Sequence, residues 1–182
     1  MKDWNVIVTV VPGPHHAHDL LGALSGRGRF AFSDFKDVLL GQVADVPAFL
    51  AGLLEAGAGG ARWVANLARV IPVEQRFHFS PESLEQQLKQ AAAALLARVP
   101  AGGGSFHVRL ERRGLAGQVA TQEIERAVAE HLFELAAARG IALRTDFQDP
   151  DFVVAAETVG EECGVALVTR ELRARYPFVR VH

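Results

Sequence analysis

The stretch from Phe106 to Arg170 constrains the fold more than any other part of this 182-residue chain. It opens with Phe106-His107-Val108-Arg109-Leu110-Glu111, where apolar and polar residues alternate as in a strand with one buried face, and it turns at Arg112-Arg113-Gly114. Thr121-Gln122-Glu123-Ile124-Glu125 then offers a capping hydroxyl and early carboxylates, both suited to the exposed amides of a helix start. Ile124, Val128, Leu132 and Leu135 recur at helical spacing up to a stop at Gly140. The polar turn from Asp146 to Asp151 feeds the apolar run Phe152 to Ala156, and Gly164 to Arg170 reads as a further strand. Asp149-Pro150-Asp151 reads as a turn that fixes two strands, because proline presets the backbone and aspartate caps its neighbours.

With 49% hydrophobic and 22% charged residues, the chain can bury a core and form one medium domain or two small ones. Its apolar runs are broken well before the roughly 18 residues of a membrane helix, and Met1-Lys2-Asp3-Trp4 leads straight into a strand. No membrane association is expected, and the expected compartment is the cytoplasm. The single Cys163 forms no internal disulfide and no CxxC site, and is expected to be a small buried side chain. A net charge of -2 argues against strong nucleic-acid binding by the chain as a whole, although totals hide faces. Sixteen of the 19 basic residues are arginine, whose planar fork suits phosphates and base edges, and which a GC-rich genome also favours.

The first seventy residues read as strand (4 to 12), helix (17 to 24), a turn or short strand (30 to 35), strand (37 to 43), helix (46 to 56) and strand (62 to 71). That order is the βαββαβ pattern of a ferredoxin-like unit. Val73 to Phe79 reads as a connector. Ser80-Pro81-Glu82 offers a helix start, and Leu84, Leu88, Ala91, Leu95 and Val99 form an apolar stripe that ends at Pro100. The glycines at 102 to 104 are too few for a free linker and read as a loop within the second unit. The expected class is α+β: a ferredoxin-like domain over residues 1–79, then an α/β domain over 80–182.

Phe-x-Val-Arg-Leu-x-Arg-Arg-Gly from Phe106, the helix start at Thr121 and Asp-x-x-Asp-Pro-Asp-Phe-x-Val-x-x-Glu from Asp146 together resemble the THUMP domain of RNA-modifying systems. Many proteins of that kind carry a ferredoxin-like domain just before the THUMP domain. Arg69-Val70-Ile71-Pro72-Val73 resembles a segment of the small tRNA cytidine-acetylation adaptors. Past Arg170 the sequence runs from Glu171 to His182, and no thiolation or methyltransferase domain is expected. The resemblance implies a non-catalytic tRNA-binding adaptor that grips the acceptor region and 3′ end. It would present them to a separate modifying enzyme, an acetyltransferase that makes N4-acetylcytidine being the partner the resemblance suggests. No cofactor is expected, since neither Gly-x-Gly-x-x-Gly nor a Walker phosphate loop occurs.

The residues expected to hold RNA fall in two groups. Arg109, Arg112 and Arg113 lie near one turn and could meet successive phosphates; Arg170, Arg173 and Arg175 lie near Tyr176, which could stack on an unpaired base. His107 and Arg69 complete the set. For each arginine, an ordinary solvated charge is the alternative. No catalytic residue is expected, since no serine sits in a nucleophile turn. His15, His16 and His18 with Asp19 are the one arrangement compatible with a metal, but no second cluster completes it, and no metal is expected. They support a competing reading, a small ferredoxin-like ligand- or metal-binding sensor or enzyme. A third possibility is a protein whose sheets mediate oligomerisation.

Overall fold

The computed structural model describes residues 1–181 and divides into two compact units, one of Met1–Val73 with Arg173–Arg180 and one containing Glu74–Leu172. In the first unit the elements are β1 (Val6–Val10), α1 (His16–Leu24), β2 (Arg29–Phe32), β3 (Val38–Gln42), α2 (Val46–Ala58) and β4 (Leu67–Pro72). The sheet order is β2-β3-β1-β4 with every pairing antiparallel, which is the ferredoxin-like arrangement expected from the sequence. Trp4, Val6, Val8, Leu20, Leu24, Leu39, Phe49, Leu50 and Leu53 are buried in this unit. The Asp45 carboxylate accepts from the Ala48 amide at 3.0 Å and so caps α2, with Pro47 in its first turn. Gly41 is required by its neighbour in β2, because a Cβ there would come within 2.2 Å of the Phe30 ring. The segment expected to be one strand from Arg62 begins instead as a 3-10 turn over Arg62–Asn66, and pairing starts only at Leu67.

In the second unit the elements are β5 (Gln75–His78), α3 (Leu84–Leu95), β6 (Gly104–Glu111), α4 (Thr121–Ala138), β7 (Leu143–Thr145), β8 (Phe152–Val159) and β9 (Glu162–Thr169), and α5 (Arg170–Arg175) follows. The sheet order is β5-β9-β8-β6-β7, with β6 parallel to both of its neighbours. Phe106, Val108 and Leu110 join Phe152, Val154, Ala156, Val165 and Leu167 in a core completed by Leu84, Leu88 and Leu95 of α3 and Val128 and Leu132 of α4. Alternation along β6 therefore has the expected sense. Gly140, at φ 71, ends α4, with the Ile141 amide donating back to the Ala136 carbonyl at 2.8 Å.

Several details differ from the sequence reading. Ser80 to Glu82 forms a turn, and α3 starts at Leu84 after Ser83, whose hydroxyl accepts from the Ser80 amide. Ala120, not Thr121, occupies the cap position of α4, and no side chain caps it. The connector after Val73 holds β5, which pairs antiparallel with β9. That pairing groups Glu74–Phe79 with the second compact unit, which begins at Glu74. At the other end, the Val70 amide donates to the Phe178 carbonyl at 2.8 Å, so the segment past Arg173 lines the outer edge of β4 and belongs to the first unit. Gly103 explains the glycine run: it sits at φ 81 with the Ala142 carbonyl oxygen 1.7 Å from where a Cβ would be. Among the described residues no helix is long and apolar enough to cross a membrane.

Candidate RNA-binding surface

A cleft of about 470 Å³ opens in the second unit where β7 ends. β7 pairs with β6 only from Gly104 to Phe106, so beyond Phe106 that edge of β6 has no neighbouring strand among the described residues. Glu125 of α4 reaches across and accepts from the Leu110 amide at 2.9 Å. Below that bridge, Phe106, Val108 and Phe133 form an apolar wall, with Gln122, Arg126 and Phe147 among the residues around the mouth. The backbone groups of alternate residues point to the same edge, so Val108 turns its amide and carbonyl toward the cleft, as Leu110 does its amide.

Phe147 is 75% exposed, the most exposed large apolar side chain in the protein, and the local sequence explains how it is held there. The Asp146 amide donates to the Phe106 carbonyl at 3.0 Å, and the Asp146 carboxylate accepts from the amides of Gln148 (2.8 Å) and Asp149 (3.0 Å). Phe147 thus stands at the tip of a closed aspartate turn. Those amides, Asp149 first, hold the Asp146 carboxyl below its ordinary pKa. The His107 ring packs against Phe147 with centroids 5.4 Å apart, and its Nδ1 donates to the Asp146 carbonyl at 2.9 Å. An exposed ring clamped at both sides is a platform for stacking. Arg126 and Arg109 are exposed beside this region, and among the described residues neither guanidinium has a hydrogen bond or an ion pair.

The remaining expected residues are engaged within the fold. Arg113 donates to Glu157, whose side chain is only 2% exposed, while Thr158 Oγ1 accepts from the Arg113 amide at 2.8 Å. The Arg112 guanidinium, half-buried, turns onto the Gly114 carbonyl. Arg170 lies at the far end of the sheet from Arg112 and Arg113, because Thr169 pairs with Phe152 whereas Glu111 pairs with Glu157. There it bonds Asp149 through Nε (3.2 Å) and Asp151 through NH1 (2.8 Å). The other Asp151 oxygen accepts from the Ser105 amide at 2.8 Å, and that bond, with the Arg170 charge, holds its carboxyl below its ordinary pKa. Asp149-Pro150-Asp151 thus fixes the ends of β6, β8 and β9, as expected of the turn.

In the first unit, Tyr176 is 4% exposed and packs against Phe178, so its ring is closed to an incoming base. Arg175 lies over the Tyr176 ring at 5.4 Å, and Arg173 is half-buried and partnered. Arg69 is 4% exposed and donates to the Arg180 carbonyl at 3.2 Å, so it joins the tail to β4. The histidines near residue 16 turn to separate partners: His16 Nδ1 to the Val11 carbonyl at 2.8 Å, His18 to the Phe32 ring at 4.8 Å. Of the expected residues, then, His107 and Arg109 border the open part of β6. Arg126 and Phe147 were missed, although an aromatic inside the otherwise polar turn Asp-Phe-Gln-Asp-Pro was a signal in the sequence for the second.

The THUMP domain family matches residues 82–168. No curated protein matches the sequence. Among solved structures, TrmN from Thermus thermophilus is similar at 23% identity and a TM-score of 0.60, over 90% of this chain and 44% of that one. PH1313 from Pyrococcus horikoshii Ot3 is similar at 11% identity and 0.59, over 92% and 55%. A 4-thiouridine synthetase in a complex with RNA and bound ATP is similar at 14% identity and 0.52, over 92% and 42%. At these identities the likeness is one of fold, and the chain spans about half of each of these structures, or less.

Proposed function

From the premise that the chain contains a THUMP domain, we propose that it is a tRNA-binding adaptor without chemistry of its own, and that the cleft beside β6 takes an unpaired nucleotide of the tRNA 3′ end. The observation that carries this reading is Phe147, an apolar ring that is 75% exposed yet fixed between the Asp146 turn and His107. A base stacked on that ring would lie beside the Val108 amide and carbonyl, a donor and an acceptor that can meet a base edge. Arg109 and Arg126 would neutralise the flanking phosphates. The fold shared with a 4-thiouridine synthetase solved with RNA, and with TrmN, supports the assignment to tRNA modification. The modifying step falls to a separate enzyme, and the cytidine-acetylation adaptors that the sequence resembles make an N4-acetylcytidine-forming acetyltransferase the partner to test first.

Binding of the full chain to total tRNA, and to tRNA trimmed of its single-stranded 3′ end, at two salt concentrations tests the reading. Affinity that falls with salt and falls again on trimming is expected. Equal affinity for trimmed and intact tRNA would remove the 3′ end from the account, and no binding at low salt would remove tRNA. The competing sensor or enzyme reading needed His15, His16 and His18 to converge, and the separate partners of His16 and His18 leave it without a favouring observation.

A further inference from the structure

Glu125 takes the Leu110 amide with one carboxylate oxygen at 2.9 Å, and among the described residues this is the sole hydrogen bond of that side chain. The half-buried Glu125 is aimed by a fixed helix, since its neighbours Ile124 and Val128 anchor α4 in the core. An ionised carboxylate only accepts, so its second oxygen adds an acceptor to the cleft. Along a strand edge the carbonyl of one residue is followed by the amide two residues on, which places Glu125 just past the Val108 carbonyl. The cleft therefore presents, in order, the Val108 amide, the Val108 carbonyl and the Glu125 carboxylate. That row is one donor followed by two acceptors.

We infer that Glu125 determines which base the cleft admits: one that carries an exocyclic amine, and not uracil. The inference rests on the reading that the cleft takes an unpaired nucleotide. A complementary base edge is an acceptor followed by donors. In cytosine or adenine the ring nitrogen accepts from the Val108 amide, and the adjacent amine gives one hydrogen to the Val108 carbonyl and the other to Glu125. In guanine the ring oxygen, the ring N–H and the amine fill the same three places. Uracil fills only two. Its N–H has a carbonyl oxygen on either side, so whichever oxygen meets the Val108 amide, the other is set against the carboxylate. That arrangement leaves an ionised acceptor facing another acceptor, with no donor between them. Glu125 is thus a specificity-determining residue, while Phe147 supplies stacking that is open to every base.

The test compares the affinity of the full chain for intact tRNA, for the same tRNA with every unpaired 3′ nucleotide replaced by uridine, and for trimmed tRNA. The wild type is expected to bind the uridine form about tenfold more weakly than the intact form, the worth of one hydrogen bond to a charged group. Glu125→Gln keeps an oxygen for the Leu110 amide and puts an NH2 donor where the second carboxylate oxygen was. In that variant the preference against uridine is expected to disappear or reverse. The ratio of the two affinities is what is read, so a partly unfolded sample, which weakens both alike, does not imitate the result. Equal wild-type affinity for the uridine and intact forms, with trimming still weakening binding, would overturn the inference and leave the 3′-end reading standing. A preference that survives Glu125→Gln would also overturn it, by assigning the selectivity to other groups. Equal affinity for trimmed and intact tRNA would remove the reading and the inference together.

Discussion

Arg113 and Glu157 form an ion pair in the second unit, with side chains only 12% and 2% exposed. It joins the turn after β6 to the end of β8, where the Gly160 amide also donates to the Arg113 carbonyl at 3.1 Å. An arginine so placed positions the loop and is not available to phosphate.

Arg113→Ala is therefore expected to lower stability, not RNA affinity. Leaving the buried Glu157 carboxylate without this partner costs about 3–5 kcal/mol. Chemical denaturation should show that loss, while the folded variant binds tRNA as the wild type does. Joint substitution of Arg112 and Arg113 would thus report on folding first.

Asp151 sets an acid limit. Its carboxyl is held below the ordinary value by the Ser105 amide and the Arg170 charge, so the unfolded chain binds the proton more readily. The stability it supplies is complete above the ordinary carboxylate range and is lost as pH falls through its folded pKa. Asp151→Asn should be less stable near neutrality and show a shallower loss on acidification, measured by thermal melts from neutral to acid pH.

Cys163 acts at the other end of the pH scale. Burial, with the Glu157 charge nearby, pushes its thiol up to about 12. Above about pH 8.5 the unfolded chain loses this proton while the folded chain keeps it, so stability falls as pH rises. Cys163→Ser should flatten that alkaline slope. A thiol reagent should label Cys163 only at the rate of unfolding.

Much of the architecture was legible in local pattern. Alternation along β6 separated Phe106, Val108 and Leu110 from Arg109, and turn chemistry identified Asp149-Pro150-Asp151 as a strand-fixing element. What local pattern could not supply was pairing between distant residues. Tyr176 is buried because its segment lines β4, more than a hundred residues earlier in the chain, and Arg113 is occupied because Glu157 comes beside it through the β6–β8 register. Both sat in basic clusters that resemble RNA-binding sequence. Arg126 and Phe147 reach one cleft from a helix and a turn, a proximity that exists only once β7 stops short of Val108.

The measurement that tests the central claim most directly is the affinity of intact tRNA for Phe147→Ala, beside Arg126→Ala and the wild type. Phe147 touches little of the core, so its loss leaves the fold unchanged. Loss of one base–aromatic stack is worth about 1–3 kcal/mol, so Phe147→Ala should weaken binding roughly 5- to 150-fold and erase the advantage of intact over trimmed tRNA. Arg126→Ala should weaken binding to both and lower the salt dependence. Unchanged affinity in Phe147→Ala, with the preference for intact tRNA kept, would contradict the assignment of the cleft to the tRNA 3′ end.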